Sequence, residues 1–372
     1  MTTRLWNVVI VGAGPAGLGI ALMLRELKVR ETVVLERSEP GASFRKWPKE
    51  MRFITPSFPG NFFGNIDLNS IAIYSSPAHV LRTEHPSGIQ YADYLKDGAR
   101  RAELPIRCGV DVFSVTPEDG GFQLETSNGV IRSKIVIWAA GEFQYPRLDP
   151  FPGAEHCLHN SLVGSWAERP GEEACVIGGY ESGLDAAIAL VANGKKVTVL
   201  DQHVSWQPDQ EYDPSRIPSP YTLQRLRGAM ATGRLQLCGN SPVVGVRKEN
   251  DCYLCDIAGG PPVMTRQQPI LAAGFAGSLS LIRPLFEFEE SGNVCLTPHD
   301  ESTRVPGLFL VGPAVRQKKV VFCFIYKFRQ RFAVVAAAVA KRLSVDCGRL
   351  DEYRKHNFYL DDLACCEQSC TC

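Results

Sequence analysis

The chain has 372 residues, of which 45% are hydrophobic and 22% charged, and its 40 basic residues balance 40 acidic ones. This length predicts about two domains with packed cores, and the balanced charge argues against a nucleic-acid or anionic-lipid partner. The longest apolar run, near Val8 to Leu24, contains four glycines and a proline, which is typical of neither a membrane span nor a signal peptide.

The first predicted element is a strand that enters a glycine-rich turn. Residues 7–11 are mostly apolar, Gly12-Ala-Gly14-Pro-Ala-Gly17 follows, and a helical pattern then begins. A second apolar run ends in Glu36, 24 residues after Gly12. This strand, turn, helix and distant acid form the context that a dinucleotide fingerprint requires. Gly12 would permit the tight turn, Gly14 the approach of a pyrophosphate, and Gly17 the packing of the helix.

A second, imperfect copy of this pattern follows later in the chain. Gly178-Gly-Tyr180-Glu-Ser-Gly183 again separates an apolar run from a helical pattern, and Asp201 lies 23 residues after Gly178. Two such units predict two bound dinucleotides. Tyr180 replaces the middle glycine, so either nicotinamide cofactor binding with a shifted pose or a degenerate structural unit is possible. An acid at position 201 favours NADH over NADPH, a preference that His203 can soften.

Further landmarks support a narrower comparison. Residues 135–141 and 270–274 both run from an apolar strand to an Ala-x-Gly sequence, and residues 305–312 form a late strand that ends in glycine. The chain resembles the two-dinucleotide-binding flavoproteins, and within them the thioredoxin-reductase-like branch with bacillithiol-disulfide reductases and small flavin monooxygenases. Residues 44–48, 52–60 and 322–329 carry the narrower similarity.

The resemblance implies an α/β fold with two Rossmann-like domains, an FAD domain with an inserted NAD(P)-binding domain. We expect the FAD domain at residues 1–150 and 269–345, the NAD(P) domain at 165–268, and a cysteine-rich tail at 346–372. The implied FAD contacts are Gly12, Gly14, Pro15, Ala16, Gly17, Glu36, Arg37, Trp47, Thr55, Val112, Ala140, Gly141 and Gly312. Those to NADH or NADPH are Gly178, Tyr180, Glu181, Ser182, Gly183 and Asp201.

Two features near the late strand bear on the flavin. Many relatives have Gly-Asp where this chain has Gly312-Pro313, so neither a carboxylate nor an N–H is available there for the ribityl chain. The next run, Val320 to Leu343, predicts a mostly apolar helix that ends in Lys341-Arg342. If its N-terminus points at the flavin, the helix dipole would stabilise the negative charge of the reduced ring.

The electron acceptor is the open question. Thioredoxin reductases carry a C-x-x-C pair in the nicotinamide domain, but residues 164–201 contain only Cys175. The C-x-x-C at Cys252 and Cys255 lies in a strand pattern, where the two side chains face opposite sides. Residues 151–166 resemble a monooxygenase signature loosely. His85 and His159 are each interpreted as a structural histidine or as a proton donor near the flavin.

The C-terminus offers a different source of thiols. Cys365, Cys366, Cys370 and Cys372 fall within the last eight residues, after a polar segment with a possible short helix. A terminal segment is rarely tied down and can reach a flavin or a partner. The four thiols can therefore relay electrons as catalytic residues, bind a soft metal or have no catalytic role. Apart from this alternative, no metal site is predicted.

These observations lead to a main hypothesis and two alternatives. We expect a cytoplasmic FAD-dependent oxidoreductase that takes hydride from NAD(P)H and passes electrons to a small-molecule or protein disulfide. The tail cysteines are one route by which these electrons can reach the disulfide. The first alternative is a monooxygenase acting on a small molecule, and the second is a flavin-bearing sensor or metal-handling protein. The resemblance implies a homodimer.

Overall fold

The computed structural model describes residues 4–60, 65–207, 213 and 215–364. The four predicted catalytic cysteines, Cys365, Cys366, Cys370 and Cys372, lie outside the described residues. In the described part of the chain, no helix is long and apolar enough to cross a lipid bilayer.

The described strands range from two to ten residues in length. In chain order they are β1 Leu5–Val11, β2 Thr32–Glu36, β3 Ile106–Cys108, β4 Val112–Glu118, β5 Gly121–Thr126, β6 Gly129–Trp138, β7 Leu158–His159, β8 Glu173–Ile177, β9 Lys196–Leu200, β10 Leu235–Cys238, β11 Val243–Glu249, β12 Cys252–Ile257, β13 Val263–Thr265, β14 Ile270–Leu271, β15 Glu287–Phe288, β16 Val294–Cys295, β17 Leu308–Leu310, β18 Arg316–Gln317 and β19 Val320–Val321.

The described α-helices include five of eleven or more residues. In chain order they are α1 Pro15–Glu26, α2 Ala42–Arg45, α3 Pro77–Leu81, α4 Gly88–Arg101, α5 Glu181–Ala192, α6 Pro220–Ala231, α7 Ile325–Phe328, α8 Phe332–Arg342 and α9 Asp351–Arg354.

The chain divides into two compact units. The first comprises Met1–Arg45, Pro56–Gln144 and Gly277–Cys372, and the second comprises Lys46–Thr55 and Tyr145–Ala276. The second unit extends beyond the predicted NAD(P) domain of residues 165–268 at both ends. Its C-terminal extension follows from β14, which pairs with β8 in parallel.

The first unit is built on a seven-stranded sheet with the order β3-β2-β1-β6-β5-β4, in which β17 also pairs with β6. Strands β3, β2, β1, β6 and β17 are parallel to one another. Helices lie on the faces of such a sheet, and its central strands become continuously apolar. Accordingly Val8, Val9 and Ile10 of β1 have no exposed surface. Helix α1 packs closely on α8 at Gly19. A Cβ built on this glycine would lie 2.0 Å from the Phe332 ring, so a larger residue does not fit there.

The second unit contains a parallel five-stranded sheet with the order β10-β9-β8-β14-β7. Helices α5 and α6 contribute Leu184, Leu190 and Leu226 to a buried apolar cluster with Val176 and Val199 of the sheet. An antiparallel sheet of β11, β12 and β13 belongs to the same unit. Both units therefore have the α/β, Rossmann-like architecture that the sequence predicts.

The prediction of one helix from Val320 to Leu343 is wrong. Val320 and Val321 form β19, which pairs with β18 in a hairpin whose turn residue Lys318 has a positive φ of 53°. Helix α7 begins only at Ile325, after the extended residue Phe324, and a 3₁₀ turn at Arg329–Arg331 precedes α8. The hairpin uses the first residues of the apolar run, so the long helix that the composition suggests cannot form.

The C-terminal segment up to Ala364 is packed on the first unit rather than loose. Tyr353 and Phe358 are buried, with 4% and 0% of their surfaces exposed, and Leu363 is buried as well. The Leu360 backbone N–H donates to the Gln330 carbonyl at 3.0 Å, while the Arg331 Nη1 donates to the Leu360 carbonyl at 2.6 Å. The expectation of an untethered end therefore fails for the described part of this segment.

Candidate functional site

The turn between β1 and α1 requires glycine at two positions. Gly12 has a φ of +104°, and a Cβ there would lie 2.6 Å from the Ala139 carbonyl oxygen. A Cβ on Gly17 would lie 1.9 Å from the Gly12 carbonyl oxygen. Among the described residues, nothing lies within 4 Å of a Cβ built on Gly14. The turn is therefore closed on its protein side and open at Gly14, which fits a pyrophosphate at the helix N-terminus.

The acid at the end of β2 lies beside this turn. Glu36 is 7% exposed, and its Oε2 accepts a hydrogen bond from the Ala13 N–H at 2.8 Å. Its Oε1 accepts one from the Ser38 N–H, also at 2.8 Å. A carboxylate has about four acceptor positions, so Glu36 can also accept from the ribose hydroxyls of an adenosine.

Other predicted FAD contacts lie at the same edge of the first sheet. The Arg37 Nη1 is 3.9 Å from the Asp111 Oδ2, one residue before Val112. Ala140 and Gly141 follow the end of β6. A Cβ on Gly312, which follows β17, would lie 3.2 Å from the Ala16 Cβ. Carboxyl ends of parallel strands form the crevice in which α/β proteins bind their ligands, so these residues fit a dinucleotide.

Trp47 and Thr55 were also predicted to contact FAD, and they are placed differently. Both belong to the second unit, in the segment Lys46–Thr55. The rings of Trp47 and Phe53 lie 5.0 Å apart within that segment. Their role as FAD contacts stays a prediction.

The sequence interpretation missed Glu142, which follows Gly141 in the first unit. Burial raises the pKa of its carboxyl group, and the positive charge of Arg316 offsets part of that shift. The Arg316 Nη1 also donates to the carbonyls of Pro313 at 2.6 Å and Val315 at 2.8 Å. In the sequence, the only sign of a functional role for Glu142 was its position directly after the Ala-x-Gly sequence.

The turn between β8 and α5 reproduces the backbone of the first turn. Gly178 has the same φ of +104° as Gly12, and a Cβ there would lie 2.5 Å from the Ala272 carbonyl oxygen. A Cβ on Gly183 would lie 1.8 Å from the Gly178 carbonyl oxygen. The second site therefore has the two close approaches that make the first a dinucleotide turn, and it fits a nicotinamide dinucleotide equally well.

Tyr180 does not distort this turn. Its backbone angles, φ −96° and ψ −167°, are close to the −79° and −175° of Gly14. Both are extended conformations that any residue adopts. The Tyr180 hydroxyl donates to the Ile217 carbonyl at 3.0 Å. The departure from glycine thus changes the side chain at the turn and leaves the backbone unchanged.

The remaining predicted nicotinamide contacts are held by hydrogen bonds within the second unit. The Glu181 Oε2 accepts from the Thr222 hydroxyl at 2.7 Å, and burial raises the pKa of Glu181. The Ser182 carbonyl accepts from the Asn160 Nδ2 at 3.3 Å. The Asp201 Oδ2 accepts from the Ser205 hydroxyl at 2.8 Å, which fixes the loop after β9.

A buried ion pair lies one helical turn further along α5. Asp185 is 4% exposed, and its Oδ1 accepts from the Arg225 Nη1 of α6 at 2.6 Å. Burial raises the Asp185 pKa to about 6, and the charge of Arg225 offsets part of that effect. The carboxyl group therefore changes its charge under mildly acidic conditions.

This raised pKa predicts a pH-dependent stability. In the unfolded chain an aspartate titrates near about pH 3.9, so the folded state binds the proton more tightly. The stabilisation is complete below about pH 4 and is lost as pH rises through about 6, with a total of about 2–3 kcal/mol. Asp185→Asn should remove this component. Urea unfolding of both proteins between about pH 4 and 7 measures it, and equal slopes would contradict the prediction.

His159 is a structural residue in this arrangement. It is 2% exposed, its Nε2 lies 2.9 Å from the Gly274 carbonyl, and its Nδ1 lies 2.8 Å from the Ser161 hydroxyl. A carbonyl only accepts, so Nε2 donates, while the Ser161 N–H donates to Nδ1 at 3.2 Å. This arrangement fits a neutral ring, and burial lowers the pKa of His159. Trp166, from the loose monooxygenase signature, donates to the Asn160 Oδ1 at 2.8 Å. His85 lies 3.8 Å from the Glu84 carboxylate.

The C-x-x-C cysteines are separated as predicted. Both lie on β12, with Cys255 fully buried and Cys252 partly exposed. Cys255 packs with Cys175 in an apolar cluster, where Cys157 and Cys238 also make contact. Within the described ranges, no group of three or more His, Cys, Asp or Glu side chains is arranged to hold a metal ion.

A family model described as pyridine nucleotide-disulphide oxidoreductase matches residues 9–312. The chain belongs to this family. Its members use FAD and NADH or NADPH, which are therefore the cofactors of this chain, and it is a flavin-dependent oxidoreductase. The two turns described above have the backbone geometry with which Rossmann-like folds bind dinucleotides.

Relatives within the family differ in the length over which they match. An uncharacterized CzcO-like oxidoreductase of Geobacillus kaustophilus is 27% identical over 188 residues, which span 50% of this chain and 51% of the relative. The bacilliredoxin reductase Bdr of Bacillus subtilis is 23% identical over 350 residues, covering 90% of this chain and 98% of the relative. The chain thus spans about half of the first protein and nearly all of the second.

Solved structures show the same fold. The bacillithiol disulfide reductase Bdr of Staphylococcus aureus superposes with a TM-score of 0.75 at 18% identity, covering 91% of this chain and 99% of that one. A flavin-containing monooxygenase of Stenotrophomonas maltophilia superposes with a TM-score of 0.71 at 18% identity and the same coverage. The architecture is therefore common to disulfide reductases and monooxygenases, and it does not separate the two activities.

Proposed function

We propose that this family member reduces a disulfide with electrons from NAD(P)H. The overall reaction is NAD(P)H + H⁺ + RSSR → NAD(P)⁺ + 2 RSH, in which the nicotinamide loses two electrons and the disulfide gains them. The observation that carries the proposal is the near-complete alignment with bacilliredoxin reductase, over 98% of that protein. The predicted cytoplasmic location and homodimeric assembly, with no nucleic-acid or membrane partner, belong to the same proposal.

The residues of the chain bind and orient the two dinucleotides. Gly12, Gly14 and Gly17 would hold the FAD pyrophosphate, and Gly178 and Gly183 would hold that of NAD(P)H. FAD supplies the two-electron chemistry when it is bound. Arg316 on β18 would provide positive charge, and Glu142, whose carboxyl pKa is raised by burial, would be a proton source beside the carboxyl end of β6.

The tail cysteines complete the proposal as an electron relay. The described chain ends at Ala364 on the first unit, where Leu360 is bonded to Gln330 and Arg331. The buried Leu363 holds the end of this described segment on the same unit, which contains the turn proposed to bind FAD.

A serine replacement of all four tail cysteines tests the relay. We expect the variant to lose disulfide reduction by at least about 100-fold, while anaerobic reduction of FAD by NAD(P)H keeps its rate, because serine cannot exchange with a disulfide. Cys108→Ser, at an exposed thiol of the first unit, is the matched control. Full turnover of disulfides by the tail variant would refute the relay.

Monooxygenase activity is the second candidate, supported by the superposition on the Stenotrophomonas monooxygenase. It predicts that NAD(P)H oxidation depends on dioxygen and that labelled oxygen from O₂ enters a small-molecule product. Disulfide-dependent NAD(P)H oxidation under anaerobic conditions, together with no incorporation of labelled oxygen in a parallel reaction under labelled O₂, would exclude it.

A further inference from the structure

Trp206 lies across the carboxyl ends of three adjacent strands in the second unit. A Cβ built on Gly179, in the turn after β8, would be 2.7 Å from the Trp206 Cζ3 and 2.8 Å from the Asp201 Cβ. One built on Gly239, directly after β10, would be 3.4 Å from the Trp206 Cζ2. Since the sheet order is β10-β9-β8, the indole bridges the edge where the adenosine half of a dinucleotide binds.

The first unit shows what is particular about this arrangement. There Ala13 takes the place of Gly179, and its N–H donates to the acid after β2, Glu36. In the second unit the corresponding acid, Asp201, accepts from Ser205 instead. Gly179 has no side chain at the point that corresponds to the Ala13 methyl group, and the Trp206 ring packs at this point. An aromatic surface thus replaces a small apolar contact beside the turn.

The indole is held in place from two directions. One side of Trp206 packs on the buried cluster that contains Val199 and Leu184. The loop that carries it is fixed by the bond from Ser205 to Asp201 and by the Gln207 N–H, which donates to the Val204 carbonyl at 2.9 Å. Because the indole is anchored in the core, it forms a fixed surface of the site and does not have to move before a ligand binds.

We propose that the Trp206 indole is the surface on which the adenine ring of NADH stacks in the second site, with Asp201 accepting hydrogen bonds from the adenosine ribose. The inference rests on the proposed use of this turn for the nicotinamide dinucleotide. It names the residue that recognises the adenine. The carboxylate of Asp201 disfavours a 2′-phosphate at the same place.

Calorimetric titration of the FAD-loaded protein with AMP and with ADP-ribose tests this. Stacking of a base on an aromatic ring predicts that Trp206→Ala weakens both ligands about 10-fold or more, while Trp206→Phe stays within about threefold. Adenosine 2′,5′-bisphosphate should bind more weakly than AMP. Met264→Ala, at a 63%-exposed position on β13 of the same unit, is the matched control and should bind like the wild type.

A second readout covers the case in which Trp206→Ala does not fold. ADP-ribose should quench part of the tryptophan emission of the wild type, and this part should be missing in Trp206→Phe. Unchanged or tighter binding by Trp206→Ala would overturn the inference, as would equal quenching in Trp206→Phe. Disulfide reduction is not involved in either readout, so a wild type that binds AMP at Trp206 but reduces no disulfide contradicts only the proposed function.

Discussion

Gly17→Ala is expected to weaken FAD binding by about 100-fold or more. The added Cβ would lie 1.9 Å from the Gly12 carbonyl oxygen, far inside the roughly 3.5–4.0 Å of ordinary contacts. The opposing atom belongs to the backbone and cannot rotate away, so α1 must move from the turn. We expect a loss of about 3 kcal/mol or more of binding free energy, which corresponds to about 100-fold in affinity. FAD retained after gel filtration measures this directly.

Two matched substitutions separate this effect from general damage. Gly98→Ala lies within α4 of the same unit, where a Cβ would meet nothing described within 4 Å, and it should keep FAD and gain up to about 1 kcal/mol of stability. Gly183→Ala, with its Cβ 1.8 Å from the Gly178 carbonyl oxygen, should keep FAD and weaken NAD(P)H binding. Wild-type FAD affinity in Gly17→Ala would contradict the assignment of the first turn.

Arg331→Met should cause a large loss of stability, because it breaks a buried ion pair. The Arg331 and Asp300 side chains are 1% and 0% exposed, and their closest atoms lie 2.8 Å apart. Removing Arg331 leaves a buried carboxylate whose remaining side-chain hydrogen bond, among the described residues, comes from the Gln317 amide at 2.7 Å. Such a loss costs about 3–5 kcal/mol, which urea unfolding of the FAD-loaded protein measures.

An ion pair at the surface serves as the control for the loss of the buried pair. Arg342 pairs with Glu301 but is 42% exposed, so Arg342→Met should cost at most about 1 kcal/mol. The double variant Arg331→Met with Asp300→Asn should recover part of the loss, because it removes the uncompensated charge. Arg331→Met with wild-type stability would show that the pair is not buried in solution.

The two dinucleotide turns could be predicted from sequence because their chemistry is local. Gly12, Gly17 and Glu36 follow a fixed spacing, and the close approaches that exclude a Cβ occur within the same few residues. Tyr180 at first suggested a distorted second turn, since the sequence alone cannot show that this position has an extended backbone. The spacing was therefore a better guide than the single replaced residue.

The features that sequence interpretation missed depend on contacts between distant residues. Lys46–Thr55 joins the second unit, where the Glu50 carboxylate accepts from the Trp166 N–H at 2.9 Å over 116 positions. The Asp300–Arg331 pair and the packing of Phe358 similarly fix a C-terminal segment that composition describes as a polar tail. Such pairings leave no periodic signal in the chain, so only the folded structure reveals them.

Anaerobic titration of the purified protein with dithionite distinguishes an electron relay through the tail from a flavin that acts alone. The flavin and one tail disulfide each accept two electrons, so the wild type should take up about four electrons per FAD and the tail serine variant about two. Uptake of about two electrons by both proteins would contradict the relay and would favour monooxygenase chemistry.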